Sequence, residues 1–260
     1  MKSLYITMLI GLVALGACSD DEDATPLFQT DLQEITSHTD NGITITLFAQ
    51  ETLFVGYNRI TAKIEDKDGN LLNSTASVMP MMDMMTMQHA APIELSATDA
   101  VKNGSFEFNV VFVMPSGEMG SWSLDFIINE TEIKVPVTVV QPEYARLTSF
   151  VSQMDETTKY FVAYIQPEAP QVGQNDLEIA IFKKQSMMEW PPVDGLTLEL
   201  EPWMVSMDHG SPNNIAPVSI GDGHYQGKVN FTMTGDWQIR LKVMENGQLC
   251  GEPYFDIMFQ

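Results

Sequence analysis

Cysteine is nearly absent from the chain, with only Cys18 and Cys250 present. If Cys18 is used elsewhere, Cys250 has no partner within the chain. A disulfide framework is then excluded, and any domain must be held by its hydrophobic core. Cations are also scarce. The 260 residues carry 13 Lys and Arg against 35 Asp and Glu, a formal net charge of −22. Nucleic acid is therefore not expected as a partner, because phosphate binding requires a cationic surface. No apolar run reaches the roughly 20 residues that span a bilayer, and no segment sustains a helical period. Catalytic signatures are missing too: there is no Gly-x-Ser-x-Gly, no His-Glu-x-x-His and no Cys-x-x-Cys. Gly221-x-Gly223-x-x-x-Gly227 misses a dinucleotide fingerprint and sits between strands, where no helix would hold a phosphate. Asp66-Lys67-Asp68-Gly69-Asn70 places its glycine too early for a calcium loop and reads as a turn. A non-enzyme is expected.

The N-terminus does carry a signal. Lys2 is a short positive start, Leu4 to Ala14 is an apolar stretch of export-signal length, and Leu15-Gly16-Ala17-Cys18 follows. The last four residues resemble a bacterial lipobox, so 1–17 is expected to be a lipoprotein signal peptide and Cys18 the lipidation site. The anchor would be lipid alone, with the folded part outside the cytoplasm, on an outer membrane at its periplasmic side or the cell surface. Residues 18–41 are expected to be an acidic tether and lead-in. Ser19-Asp20-Asp21-Glu22-Asp23 resembles the surface-export signal of Bacteroidetes lipoproteins and equally suits a solvated linker.

The rest of the chain repeats itself. Val55-Gly56-Tyr57-Asn58-Arg59-Ile60 recurs as Val172-Gly173-Gln174-Asn175-Asp176-Leu177. Met84-x-x-Met87-x-His89-x-x-Pro92 recurs as Met204-x-x-Met207-x-His209-x-x-Pro212, and Gly120-Ser121-Trp122 as Gly235-Asp236-Trp237. Three matches in one order at a nearly constant shift indicate two copies of one domain, expected at 42–141 and 142–260, with Pro142 breaking the strand before the boundary. Ile43 to Phe48, Phe106 to Val110, Leu177 to Ile181 and Leu196 to Leu200 alternate apolar and polar residues, the pattern of strands with one face in a core. Asp68-Gly69 and Asn246-Gly247 are hairpin pairs, and Asp222-Gly223 punctuates the chain similarly. The fold class expected is all-β, two tandem immunoglobulin-like β-sandwich domains. Trp122 and Trp237 are expected to plug the two cores.

Six methionines fall within the nine residues Met79 to Met87, more than one buried strand face can absorb. Thioether sulfur with imidazole nitrogen suits Cu(I) or Ag(I), and thioethers do not titrate. The expected metal ligands are Met84, Met87 and His89 in the first copy and Met204, Met207 and His209 in the second. Met81, Met82 and Met85 are alternates, and Trp203 or Trp190 can shield the ion through its π face. Cys250 is either a buried strand residue or a further thiol ligand. Methionine also serves adaptable protein-binding surfaces and fills cores, so a docking patch for a membrane complex and plain packing stand beside the metal reading. His38 and His224 lie outside the repeated motif and read as ordinary surface histidines.

Across both copies the chain resembles the YtkA-like family, which is related to FixH-type proteins. The resemblance rests on Gly56-x-Asn58 and Gly173-x-Asn175, the Met-x-x-Met-x-His segments, and Gly223-x-Tyr225-x-Gly227 before Gly235-Asp236-Trp237. The first copy departs from it, with Ser105-Phe106 where the second has His224-Tyr225, and with extra residues around Pro115 to Glu118. The resemblance implies extracytoplasmic immunoglobulin-like domains associated with copper handling or oxidase assembly, and a copper-handling or membrane-complex partner. FixH-type proteins carry a transmembrane helix, which this chain lacks.

Overall fold

A computed structural model describes residues 32–96 and 100–260. The signal segment, Cys18 and the acidic residues 19–23 lie outside the described residues. Everything described is strand, turn or loop. Among the described residues no helix is long and apolar enough to cross a membrane.

The first domain uses β1 (Gln33–Asp40), β2 (Ile43–Ala49), β3 (Gly56–Asp66), β4 (Ser74–Met84), β5 (Met87–Ala90), β6 (Ile93–Leu95), β7 (Ala100–Val101), β8 (Ser105–Phe112), β9 (Ser121–Ile128) and β10 (Thr131–Val137). One sheet runs β1-β2-β3-β8-β6 and the facing one β10-β9-β4-β5, with β7 beside β4. The second domain repeats this with β11 (Leu147–Val151), β12 (Lys159–Gln166), β13 (Gly173–Lys183), β14 (Thr197–Met204), β15 (His209–Gly210), β16 (Ile215–Gly221), β17 (His224–Phe231), β18 (Gly235–Glu245), β19 (Gln248–Gly251) and β20 (Tyr254–Phe259). Its sheets run β11-β12-β13-β17-β16 and β15-β14-β18-β19, with β20 on β18. All pairings between these strands are antiparallel, and each sheet pair closes on its own core. The architecture is two tandem all-β sandwiches of immunoglobulin type. β1 begins at Gln33, inside the stretch expected to be lead-in.

Period-two alternation explains the cores. In β3 Ile60, Ala62 and Ile64 point inward, and in β18 Trp237, Ile239, Leu241 and Val243 do so. Each large side chain taken fully out of water contributes about 1.5–3 kcal/mol. Trp122 and Trp237 are both 1% exposed, the core plugs that the sequence led one to expect.

The repeated Gly-x-Asn motif is a loop clasp. Asn58 Nδ2 donates to the carbonyls of Phe54 and Gly56, and Asn58 Oδ1 accepts from Phe54 N. Asn175 makes the same three bonds to Gln171 and Gly173. A short amide thus replaces the ladder bonds that β3 and β13 lack at their entry. Asn58 is 4% exposed, and Asn175 is more open. Asn58→Ala should therefore cost about 1–3 kcal/mol and Asn175→Ala less, read as the midpoint shift in urea unfolding.

The two domains meet end to end. Tyr57 and Val111 of the first pack against Ala163, Ile165, Ala180 and Phe182 of the second. Ala90 packs with Phe161 and Trp190. Two exposed ion pairs cross the joint, Arg59–Glu168 at 2.9 Å and Arg146–Glu51 at 3.4 Å.

Candidate functional site

β4 and β5 form a hairpin whose two-residue tip is Met85-Thr86. Across it Met84 pairs with Met87 and Met82 with His89. Side chains two apart on a strand share a face, so Met82, Met84, Met87 and His89 lie on the face turned toward the core. They differ in depth. Met82 is 0% exposed and His89 6%, Met84 is half-buried, while Met87 is 50% and Met85 95% exposed. The expected set Met84, Met87 and His89 therefore shares a face but not a depth. Met81 packs against the small cluster of Ala90, Phe161 and Trp190.

The deep end of this face has a defined geometry. His89 Nδ1 lies 2.8 Å from the carbonyl of Ala90. A carbonyl only accepts, so Nδ1 carries the hydrogen, and in the neutral ring Nε2 keeps a lone pair. That Nε2 faces Met114 Sδ at 3.4 Å. Trp122 stands edge-on to the imidazole at 5.4 Å between centroids, and its Nε1 donates to the carbonyl of Met114 at 2.9 Å. The indole thereby fixes the backbone that carries the sulfur.

The second domain repeats the strand pairings, the histidine Nδ1 bond and the indole bond. Met204 pairs with His209 on one side and with Trp237 on the other, as Met82 pairs with His89 and Trp122. His209 Nδ1 lies 2.8 Å from the carbonyl of Gly210, and the ring is edge-on to Trp237 at 5.7 Å. Trp237 Nε1 donates to the carbonyl of Met233 at 3.0 Å. The equivalent quartets are therefore Met82, His89, Met114, Trp122 and Met204, His209, Met233, Trp237. Pairing through the sheet equates Met204 with Met82 and not, as the sequence match suggested, with Met84. The first hairpin is longer along its strands and the second has a four-residue tip, Val205 to Asp208, which carries Met207 at 57% exposure.

Glycine is required beside each quartet. Gly120 and Gly235 have φ of 159° and 134°. A Cβ on Gly120 would stand 3.1 Å from the methyl of Met82 and 2.5 Å from the carbonyl of Asp83; one on Gly235 would stand 2.4 Å from the methyl of Met204. The repeated Gly-x-Trp thus makes room for the thioether as well as supplying the plug.

Met114 and Met233 were not singled out from sequence. A signal was there: Phe112-x-Met114 and Phe231-x-Met233 recur at the ends of β8 and β17, two residues past the phenylalanines that touch Trp122 and Trp237.

The accessory residues divide. Trp203 alternates with the buried Met204 and so stands on the outer face, where the Arg240 guanidinium covers its ring at 5.1 Å. It is not on the quartet's side of the sheet. Trp190 is 8% exposed and reaches the first domain's quartet across the joint, 6.4 Å from the His89 ring. Cys250 is 0% exposed and directs Sγ to Met154 Sδ at 3.4 Å. Burial pushes its thiol above the ordinary range, which disfavours the thiolate that a metal needs. Among the described residues no group of three His, Cys, Asp or Glu side chains is placed to hold a metal.

His224 is not an ordinary surface histidine. Its side chain is 13% exposed, with Nε2 2.8 Å from Glu94 Oε1 of the first domain and Nδ1 2.8 Å from Glu178 Oε1. No local pattern signals this, because Glu94 lies 130 residues away.

Comparison with curated protein sequences gives no match. Among solved structures, domains 5–6 of the S-layer protein SbsC are 13% identical, with 87% of this chain and 97% of that one covered and a TM-score of 0.28. Invasin, a bacterial integrin-binding protein, is 12% identical over 84% of this chain and 39% of its own, with a TM-score of 0.27. The titin domains z1z2 in complex with telethonin are 10% identical over 88% and 97%, with a TM-score of 0.22. A family model does match part of the chain: residues 154–242, which carry Met204, His209, Met233 and Trp237, match the YtkA-like family.

Proposed function

We propose that the chain is a non-catalytic extracytoplasmic protein, exported by its N-terminal signal and held to an outer membrane by lipid on Cys18, that binds Cu(I) or Ag(I) through one Met/His quartet per domain, for buffering or handover to a copper-handling partner. The observation that carries this reading is the 3.4 Å approach of His89 Nε2 to Met114 Sδ beneath Trp122. A neutral imidazole nitrogen and a thioether sulfur are both donors of the type a soft monovalent cation prefers. The ligand set proposed is Met82, His89 and Met114, with Met204, His209 and Met233 as its counterpart. The second site is the more open, with Met233 37% exposed and His209 half-buried, which suits handover.

A specific observation also favours a docking role for the other methionines. Met85, Met87 and Met79 on the first domain, and Met207 with Val205 on the second, are all 45% exposed or more. Flexible thioethers so placed suit an adaptable protein contact, here with a membrane complex.

A Cu(I) competition titration under reducing conditions tests the metal reading. One ion per domain is expected, with binding lost when Met82, Met114, Met204 and Met233 are all changed to Leu. Equal weak binding by both forms would overturn it and leave the docking role.

A further inference from the structure

The two quartets are alike in residues and unlike in surroundings. The second is at the free end of its domain. The first is at the end that meets the neighbouring domain, whose loop 184–192 lies over it. The loop adds a backbone hydrogen bond to the edge strand, Ala90 N to Met187 O at 2.8 Å, directly beside His89. It also brings Trp190 within 6.4 Å of the His89 ring. The fit carries a cost: Trp190 Nε1 is buried with no hydrogen-bond partner among the described residues, and lifting the loop would give that N–H to water.

On the other side of the joint, beside the apolar packing of Tyr57 and Val111, an imidazole lies between two carboxylates. His224, at the start of β17, bridges Glu94 of β6 and Glu178 of β13. Glu94 is further held by Tyr57 OH at 2.6 Å and Asn109 Nδ2 at 3.1 Å. Tyr57 and Arg59 face this group from β3, the guanidinium lying 5.5 Å from the phenol ring. Glu107 of β8 and Asp222 of the β16–β17 turn line the same cleft of ≈610 Å³.

We infer that the joint is a gate on the first site: with the Glu94–His224–Glu178 bridge made, loop 184–192 covers the Met82–His89 end of that site, and with it broken the loop lifts while the second site is unaffected. The cargo that the gate would admit rests on the metal reading above; access itself does not.

The bridge requires protonated His224, since both ring nitrogens must donate to carboxylates. The hydrogen bond to Glu94 is the main cause holding the imidazole above its ordinary 6.5, against burial. For Glu94, burial pushes the carboxyl up, but bonds from His224 and Tyr57 outweigh it and hold it below 4.5. A raised histidine stabilises fully below 6.5 and loses that stabilisation as pH rises through its folded value; a depressed carboxylate stabilises above 4.5 and loses it as pH falls through its own. The gate is therefore closed between those limits and opens as pH rises past the raised histidine value.

Peroxide oxidation of the full chain in detergent tests this. Sulfoxide formation at Met82 is read by peptide mass spectrometry relative to Met204, the buried counterpart in the second domain. Between pH 6 and pH 9 that ratio should rise about tenfold, the weight of one charge-assisted hydrogen bond. His224→Gln should show the high ratio at both pH values, with faster hydrogen exchange at Ala90. A ratio flat across pH in the unaltered chain overturns the gate whatever the variant does. Ag(I) titration of the same samples separates the two readings: no binding at either site ends the metal reading, and the oxidation ratio still decides the gate.

Discussion

Changing Met82 and Met114 to Leu should weaken Cu(I) binding at the first site on the order of 100-fold or more, whereas changing Met84 and Met87 should leave it within about twofold. The scale is set by metal sites in which losing even a supporting partner costs about 10–100-fold; these two residues would be the ligands. Leucine keeps the volume and apolar character of methionine, so stability should fall by less than about 1.5 kcal/mol, and lost affinity would report lost sulfur. The contrast is needed because Met82, Met84 and Met87 lie on one face of one hairpin. Among the described residues Met114 Sδ faces the imidazole nitrogen at 3.4 Å, and Met82 shares its cross-strand position and burial with Met204. The titration is read in a background of Met204→Leu and Met233→Leu, so that one site is counted. If the outer pair carries the affinity instead, the site is at the hairpin tip, and the inner sulfurs are packing. If neither pair matters, the tip methionines are left as a docking surface.

The strands, the duplication and the tryptophan plugs were legible because each is written locally. Alternation fixes which side of a strand is buried, a glycine before tryptophan recurs in both copies, and Gly-x-Asn makes all its bonds within four residues. The ligand register was not legible. Aligning the copies on their histidines and counting back assumes hairpins of equal length, but the first has the two-residue tip Met85-Thr86 and the second the four-residue tip Val205 to Asp208. What equates Met82 with Met204 is a third strand: each pairs with the plugging tryptophan, Trp122 or Trp237. Alternation alone would have excluded Trp203, since its neighbour Met204 faces inward. No local pattern would have found the Glu94–His224 bridge, nor that Trp190, one of the two tryptophans expected as a shield, stands beside His89 of the other domain. Both depend on how two finished domains meet.

Trp237→Ala should destabilise the second domain by about 3–5 kcal/mol, the largest stability effect expected of any single change here. Trp237 is 1% exposed and touches Phe231 and His209 as well as donating to Met233. Little nearby can fill the space, because Met204 is already seated against Gly235. Trp237→Phe separates the plug from the positioning role. Phenylalanine restores much of the buried area but has no N–H, so the Met233 carbonyl loses its donor. That carbonyl is at a partly exposed turn where water can replace the indole, so the penalty should be near the low end of about 1–3 kcal/mol. The loop carrying Met233 would then be free to drift, and with it the sulfur. The expected result is a variant close to normal in thermal unfolding yet weakened in Ag(I) binding at the second site, with the first unchanged. If affinity falls only in step with stability, the indole is a plug, and Met233 is held by something other than its hydrogen bond.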